Sequence, residues 1–201
     1  NVLVLGLGSF GGGIGAARQL AKAGAKVTAT DLRTAKAFGS EIAELNNCGV
    51  KLLLGGHSKE MFREAEVVVV NPAVAPSSCW LEAARESGCQ LTTEVSLALA
   101  TLENNASLVV TGTHGKSTCA SFAAHLLNEL PGKTLLAGNF GGSLLEAVDT
   151  LNSGDRLVLE LSSFQLHRLE APPAWPQVAI LTVQGEDHLD WHKSYDAYAS
   201  A

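Results

Sequence analysis

The sequence predicts an α/β protein: a doubly wound parallel sheet, followed by part of a second α/β unit built to the same plan. Three observations carry this expectation. Short apolar runs alternate with stretches of helical periodicity along the 201 residues. The runs are almost wholly apolar rather than alternating, as suits strands covered by helices on both faces. Two glycine-rich turns, Gly6–Gly11 and Gly112–Gly115, each follow such a run and open a helical stretch.

In chain order, Val2–Gly6, Lys26–Thr30, Lys51–Leu54, Glu66–Asn71 and Gln90–Thr92 are the expected strands of the first unit, with helices over Gly13–Ala23 and Ser78–Glu86. Helix-like Val95–Leu102 and the polar stretch 103–106 lead into a new strand, Ser107–Thr111. The second unit continues with strands at Thr134–Ala137, Arg156–Leu161 and Val178–Val183 and helices at Ser117–Leu130 and Ser143–Leu151. The boundary is expected near Thr93, giving units 1–92 and 93–201. Ser194–Ala201 reads as the start of a helix with no stop signal, and the first residue is not an initiator methionine, so a fragment of a longer protein is expected.

Hydrophobic residues make up 46% of the chain and charged residues 17%, which excludes a disordered protein. No apolar run approaches the roughly 18 residues needed to span a bilayer, and Asn1 leads straight into a strand with no signal-peptide layout. A cytoplasmic protein without a membrane partner is expected. The net charge of −6 argues against nonspecific nucleic-acid binding, which needs a basic footprint, so any anionic ligand must be held by local features. Cys48, Cys79, Cys89 and Cys119 form no C-x-x-C pair and have no histidine at zinc-ligand spacing, and are expected to be buried spectator thiols. A monomer is expected.

Gly6-Leu7-Gly8-Ser9-Phe10-Gly11 fits G-x-G-x-x-G between a strand and a helix, with Asp31 at the end of the second strand. Glycines let backbone amides approach a diphosphate, and the helix N-terminus adds about half a positive charge, so an anion can bind here without lysine. The pattern suits a dinucleotide or a UDP-type diphosphate in a Rossmann-like unit; Asp31 would accept hydrogen bonds from a ribose or base edge. The plainer alternatives are a glycine turn that only allows close packing, favoured for Gly15, and a strand-end acid capping a helix.

Thr111-Gly112-Thr113-His114-Gly115-Lys116-Ser117-Thr118 is strand, glycine turn, lysine, hydroxyl, helix: the plan of a P-loop ATPase-type α/β domain. Backbone amides would cradle phosphates, Lys116 would face the β- and γ-phosphates, and Ser117 could reach a magnesium ion. The strict G-x-x-x-x-G-K-[ST] spelling fails, because the first glycine stands only three before Gly115.

This shortened loop resembles that of the Mur ligases and their relative folylpolyglutamate synthase. Gly138-Asn139-Phe140-Gly141, Leu159-Glu160-Leu161-Ser162-Ser163-Phe164-Gln165-Leu166 and Glu186-Asp187-His188-Leu189-Asp190 resemble further segments of the Mur ligase family, in the family's order. The S-S-F-Q-L spelling and Asp31-Leu32-Arg33 are most similar to the branch that attaches D-glutamate. His114 in place of asparagine, Phe140 in place of isoleucine and Leu32 without a hydroxyl depart from that branch, and the L-alanine-adding branch is the alternative.

The resemblance implies an ATP-dependent ligase of cell-wall peptide synthesis, acting on UDP-N-acetylmuramoyl-L-alanine and D-glutamate with magnesium, its C-terminal amino-acid-binding domain not contained in these residues. It implies that Gly8, Ser9, Phe10, Gly11, Asp31, Leu32, Arg33, Asn139 and Ser162 contact the UDP substrate. Gly112, Thr113, His114, Gly115, Lys116, Ser117 and Thr118 would bind ATP. Lys116, Glu160 and His188 would be catalytic, with Ser117, Glu160 and His188 as magnesium ligands. A carboxylate ending an apolar strand, like Glu160, is costly unless paired or metal-bound; the plainer readings are a solvated strand-end acid for Glu160, a surface histidine for His188, a turn former for Asn139 and a hydroxyl cap for Ser162. An NAD-dependent oxidoreductase is a further alternative from the first loop, but it leaves the second loop without a purpose.

Overall fold

The computed structural model describes residues 1–102, 105–170 and 175–201, so part of the polar stretch expected at 103–106 lies outside the described residues. The chain forms two compact units, Asn1–Glu94 and Val95–Ala201. No helix among the described residues is long and apolar enough to cross a membrane.

The first unit is a parallel sheet of β1 (Val2–Leu5), β2 (Val27–Asp31), β3 (Lys51–Leu54), β4 (Val67–Val70) and β5 (Gln90–Thr92), in the order β3-β2-β1-β4-β5. Val2 is in register with both Val27 and Val67. Helices α1 (Gly12–Lys22), α2 (Glu41–Asn47), α3 (Glu60–Arg63) and α4 (Cys79–Glu86) connect the strands. Leu3, Leu5, Val68 and Val70 point to one face, where they pack with Phe62 and Leu81. Val4 and Val69, which alternate with them, are equally buried, and this two-sided burial is why the strands read as unbroken apolar runs. Strand order reverses between β1 and β4, and a sheet of this kind binds ligands in the crevice outside the carboxyl ends of those strands. Helices α2 and α3 were not expected. With 7 and 4 residues they are too short to show a period, and packing rather than propensity holds them.

Helix α5 (Glu94–Ala100) starts on the last residue of the first unit, and the second unit contains a parallel sheet of β6 (Ala106–Thr111), β7 (Thr134–Gly138), β8 (Arg156–Glu160) and β9 (Val178–Leu181), in the order β7-β8-β6-β9. Its other helices are α6 (Lys116–Leu127), α7 (Leu144–Val148), α8 (Ser163–Leu166), α9 (Leu189–His192) and α10 (Tyr195–Ala199). One face of the sheet, with Val109, Leu157 and Leu159, packs on Val95, Leu99, Leu144 and Val148. The other, with Val110 and Val158, packs on Ala120 and Ala124 of α6. β9 stops at Leu181, two residues short of the expectation, because Thr182 and Val183 turn to grip the second glycine loop. Among the thiols only Cys89 is buried, its Sγ donating to the Phe62 carbonyl, and burial raises its pKa. Cys79, the first residue of α4, is exposed, and Cys48 and Cys119 are half-buried, against the expectation of burial for all three.

Candidate functional site

The first glycine loop lies at the carboxyl end of β1, opposite the turn that follows β4. Gly6, Gly8 and Gly11 all have positive φ, which side chains tolerate poorly. Close approach adds a second constraint. A Cβ on Gly13 would stand 2.5 Å from the Gly6 carbonyl oxygen, so Gly13 is the residue that lets α1 press against the loop. A Cβ on Gly8 would stand 2.5 Å from the Asn71 amide nitrogen. Asn71 is a part of the site that sequence reasoning missed. Its signal was the Asn-Pro dipeptide closing the fourth strand, and its Oδ1 accepts from the Ala73 amide to fix that turn.

Asp31 is 6% exposed and its carboxylate is engaged inside the protein. It accepts from the Leu7 amide at 2.9 Å, from the Arg33 amide at 2.9 Å, and from Arg33 Nε and Nη2 at 3.0 Å each. Burial pushes its pKa up, but the hydrogen bonds from Arg33 and Leu7 outweigh burial and hold it below the usual carboxylate range. Arg33 then reaches Ser9 Oγ at 2.9 Å and lies over the Phe38 ring. Asp31, Arg33 and Ser9 therefore form one brace, and the guanidinium cancels a negative charge that would otherwise face an anion. No carbonyl of the described residues accepts from the amides of Ser9, Phe10 or Gly11. Phe10 and Leu32 are 77% and 67% exposed, apolar surfaces beside the loop.

Nearby, Thr30 Oγ donates to the Gly56 carbonyl and lies 2.8 Å from His57 Nδ1. Burial lowers the His57 pKa, with the nearby Asp31 charge opposing.

The second loop leaves β6 at Gly112, φ 134°, and enters α6 through Gly115, φ 81°. A Cβ on Gly112 would overlap the Thr182 hydroxyl, so the loop runs hard against the end of β9. The N-cap of α6 makes no side-chain hydrogen bond, and the amides of His114, Gly115 and Lys116 donate to no carbonyl of the described residues. Lys116 Nζ folds over the loop onto the Gly112 and Thr113 carbonyls, at 2.9 and 3.0 Å. Ser117 and Thr118 are exposed on the first turn of α6. Thr113 is different: it is 6% exposed, its amide donates to the Val183 carbonyl, and its hydroxyl is engaged with Gly185 and Tyr198. It holds the loop in place rather than offering its own amide.

Glu160 closes β8, in register with Val110 of β6 on one side and Gly138 of β7 on the other. The carboxylate thus stands between the turns that follow those two strands. It is 2% exposed; Oε1 accepts from Asn139 Nδ2 at 3.1 Å, and Oε2 is buried with no hydrogen-bond partner. A buried carboxylate oxygen without a partner is what a cation ligand looks like before its cation is considered. Among the described residues no three His, Cys, Asp or Glu side chains come together as a metal-holding group. The unpartnered Glu160 oxygen fits magnesium, which takes one or two carboxylates and fills its other positions with water and phosphate oxygens.

His188 has φ 51° and begins α9; its ring is tilted against Phe164 at 4.6 Å and lies 3.5 Å from Asp187 Oδ2. Ser162 caps α8 in a capping box with Gln165, its hydroxyl 3.1 Å from Gln165 Oε1. Within the second unit the structure joins Asn139 directly to Glu160, and Phe164 of the Ser162–Leu166 motif to His188. His192, given no role from sequence, is buried, with Nε2 on Ser163 Oγ.

A parallel sheet with a glycine loop, followed by a second parallel sheet with a lysine-bearing glycine loop and a buried strand-end carboxylate, is the plan of a Rossmann-like unit joined to an α/β domain of the nucleotide-binding type. Residues 1–93 match the Mur ligase MurD-like N-terminal domain and residues 110–201 match the Mur ligase middle domain, so the chain belongs to the Mur ligase family. It is 41% identical over 201 residues to UDP-N-acetylmuramoylalanine--D-glutamate ligase of Roseiflexus sp. (strain RS-1), and 37% identical over 201 residues to the protein of that name from Geobacter metallireducens. In both comparisons the whole chain is covered but only 43% of the relative, so the chain spans less than half the length of these relatives. Among solved structures, UDP-N-acetylmuramate:L-alanyl-gamma-D-glutamyl-meso-diaminopimelate ligase from Neisseria meningitides aligns over 99% of this chain and 65% of its own, with TM-score 0.61 and 19% identity. A murein peptide ligase from Psychrobacter arcticus aligns over 98% of this chain and 46% of its own, with TM-score 0.54 and 20% identity. These two establish likeness of fold.

Proposed function

We propose that this chain is the UDP-substrate-binding and ATP-binding part of a cytoplasmic ligase that joins D-glutamate to UDP-N-acetylmuramoyl-L-alanine in peptidoglycan precursor synthesis. The observation that carries the proposal is Glu160: a buried carboxylate with one oxygen steadied by Asn139 and the other unpartnered, one strand from the phosphate loop. In the proposed reaction the substrate carboxylate attacks the γ-phosphorus of ATP and ADP leaves. The amine of D-glutamate then attacks the acyl phosphate, loses its proton, and expels inorganic phosphate, leaving an amide.

The difficulty in the first step is that two anions must meet. Lys116, released from the Gly112 and Thr113 carbonyls, would pair with the β- and γ-phosphates, and the free amides of His114–Lys116 would cradle them. Ser117, Glu160 and His188 are the residues that would hold magnesium, which supplies further screening of phosphate charge. In the first unit, Gly8, Ser9, Phe10 and Gly11 would hold the diphosphate, with Leu32 and Arg33 beside the nucleoside and Asp31 keeping loop and arginine in place. Asn139 and Ser162 would steady the substrate near Glu160.

Thermal denaturation of the chain with UMP, UDP, ATP with magnesium, and NAD tests the reading. A ligand present at 100 times its Kd adds about 2.7 kcal/mol to stability. UMP or UDP and ATP with magnesium are expected to raise the Tm, and NAD is not. A rise with NAD and none with uridine nucleotides would move the assignment to a dinucleotide oxidoreductase.

A further inference from the structure

We propose that Tyr198 is a positioning residue for the phosphate loop, its hydroxyl locking Thr113, and through Thr113 the whole turn, to α10 and to the segment that leads into His188. The proposal rests on reading Gly112–Ser117 as the triphosphate site.

Three stretches of chain converge on one buried hydroxyl. Thr113 Oγ lies 2.7 Å from the Tyr198 hydroxyl, accepts from the Gly185 amide at 2.9 Å, and lies 3.2 Å from the Gly185 carbonyl oxygen. A threonine hydroxyl has one proton and two lone pairs. The Gly185 amide takes one lone pair, and the remaining proton and lone pair are shared between the Tyr198 hydroxyl at 2.7 Å and the Gly185 carbonyl at 3.2 Å, either hydroxyl serving as donor in the shorter bond. Every valence of Thr113 Oγ is then satisfied inside the protein.

The phenol has no other reason to be a phenol. Tyr198 is the one buried residue of α10, 8% exposed, with its ring edge-on to His192 at 5.4 Å. Packing alone would be met by phenylalanine, which fills the same space without a polar atom to satisfy. A buried hydroxyl persists without cost only where it has a partner, and here the partner is the loop. At five residues α10 is too short to hold itself, so its placement draws on Tyr198, through this bond and the packing of its ring on His192. Gly185 stands three residues before His188, so this bond network ties the residue proposed for the cation to the loop proposed for the phosphates.

Three variants and two readouts test the assignment: calorimetric affinity for ATP with magnesium and for UMP, and amide hydrogen exchange across residues 112–117. Tyr198→Phe is expected to weaken ATP binding by about five- to tenfold, the size of one neutral hydrogen bond, and to speed exchange in the loop, with UMP affinity unchanged. Thr113→Val is expected to do at least as much, and the double variant no more than Thr113→Val, because the two side chains share one bond. Thr113→Ser keeps the hydroxyl and is expected to bind ATP more tightly than Thr113→Val. Unchanged ATP affinity and loop exchange in Tyr198→Phe, effects that multiply in the double variant, or Thr113→Ser as weak as Thr113→Val would each overturn the proposal. If the unaltered protein binds no ATP, it is the reading of the site that fails. Loop exchange in Tyr198→Phe then decides the coupling by itself, faster exchange supporting it and equal exchange overturning it.

Discussion

The two glycine loops share one plan, strand to turn to helix, yet they are braced by different chemistry. The first is held by side chains from neighbouring strand ends: the Asp31 carboxylate on the Leu7 amide, Arg33 on Ser9, and Asn71 filling the space beside Gly8. The second is held by backbone and hydroxyl groups that lie beyond the end of β9: Thr182, Val183, Gly185 and Tyr198. The first loop has no lysine; its one nearby cation, Arg33, is neutralised by Asp31. The second carries Lys116 on the loop itself, its Nζ held by two loop carbonyls and paired with no carboxylate among the described residues. The difference teaches that one backbone plan can be braced in two ways, by a charged side-chain pair in the first loop and by backbone and hydroxyl groups in the second.

The largest expected effect comes from that lysine. Lys116→Ala is expected to weaken binding of ATP with magnesium on the order of a hundredfold, the scale of losing a group aimed at developing phosphate charge, while UMP affinity stays within error. Calorimetry with both nucleotides checks this, and a parallel loss of UMP binding would break the division of labour between the loops.

Glycine substitutions probe the two kinds of brace next. At Gly112 a new Cβ meets the Thr182 hydroxyl and the Val183 backbone, whereas at Gly8 it meets the end of the Asn71 side chain, which can swing away. Gly112→Ala is therefore expected to cost about 2–4 kcal/mol and Gly8→Ala about 1–2 kcal/mol, both including the strain of positive φ. Urea denaturation of the two variants sharpens the comparison, and equal costs would mean that the backbone clamp on the second loop gives way as easily as a side chain.

A smaller effect is expected for Asp31→Asn, which keeps an acceptor for Leu7 but loses the charged partner of Arg33. The expected loss is about 1–2 kcal/mol, within the range of charge-assisted hydrogen bonds, accompanied by weaker UMP binding and no change in ATP binding.

The smallest effect is pH-dependent. Asp31 has a lowered pKa in the folded protein, so its contribution is complete above the unfolded value, about 3.9, and is lost as pH falls through the lower folded value. His57 is also lowered, so stability drains away as pH falls below its unfolded value of about 6.5. The groups bracing the second loop include no carboxylate and no imidazole. Protection of the Leu7 amide from hydrogen exchange, taken relative to the intrinsic rate at each pH, is expected to fall in acid before protection of the Thr113 amide does; the reverse order would show that the carboxylate brace is not what holds the first loop.

Much of this architecture was legible in the chain itself, because parallel strands buried on both faces are apolar throughout and the tight turns that follow them take positive φ, which favours glycine. Those two requirements alone place the two sheets, both loops, and Lys116 and Glu160 near strand ends. What the sequence could not determine is where committed polar groups point. Asp31 reads as a ligand acceptor, and only the fold shows its oxygens already taken by Leu7 and Arg33. Thr113 reads as a phosphate cradle, and only the fold brings Val183, Gly185 and Tyr198 to it from 70 to 85 residues away. The reason is physical: burial and backbone conformation constrain residue type locally, position by position, whereas a hydrogen bond is satisfied by whichever partner the tertiary structure brings within about 3 Å.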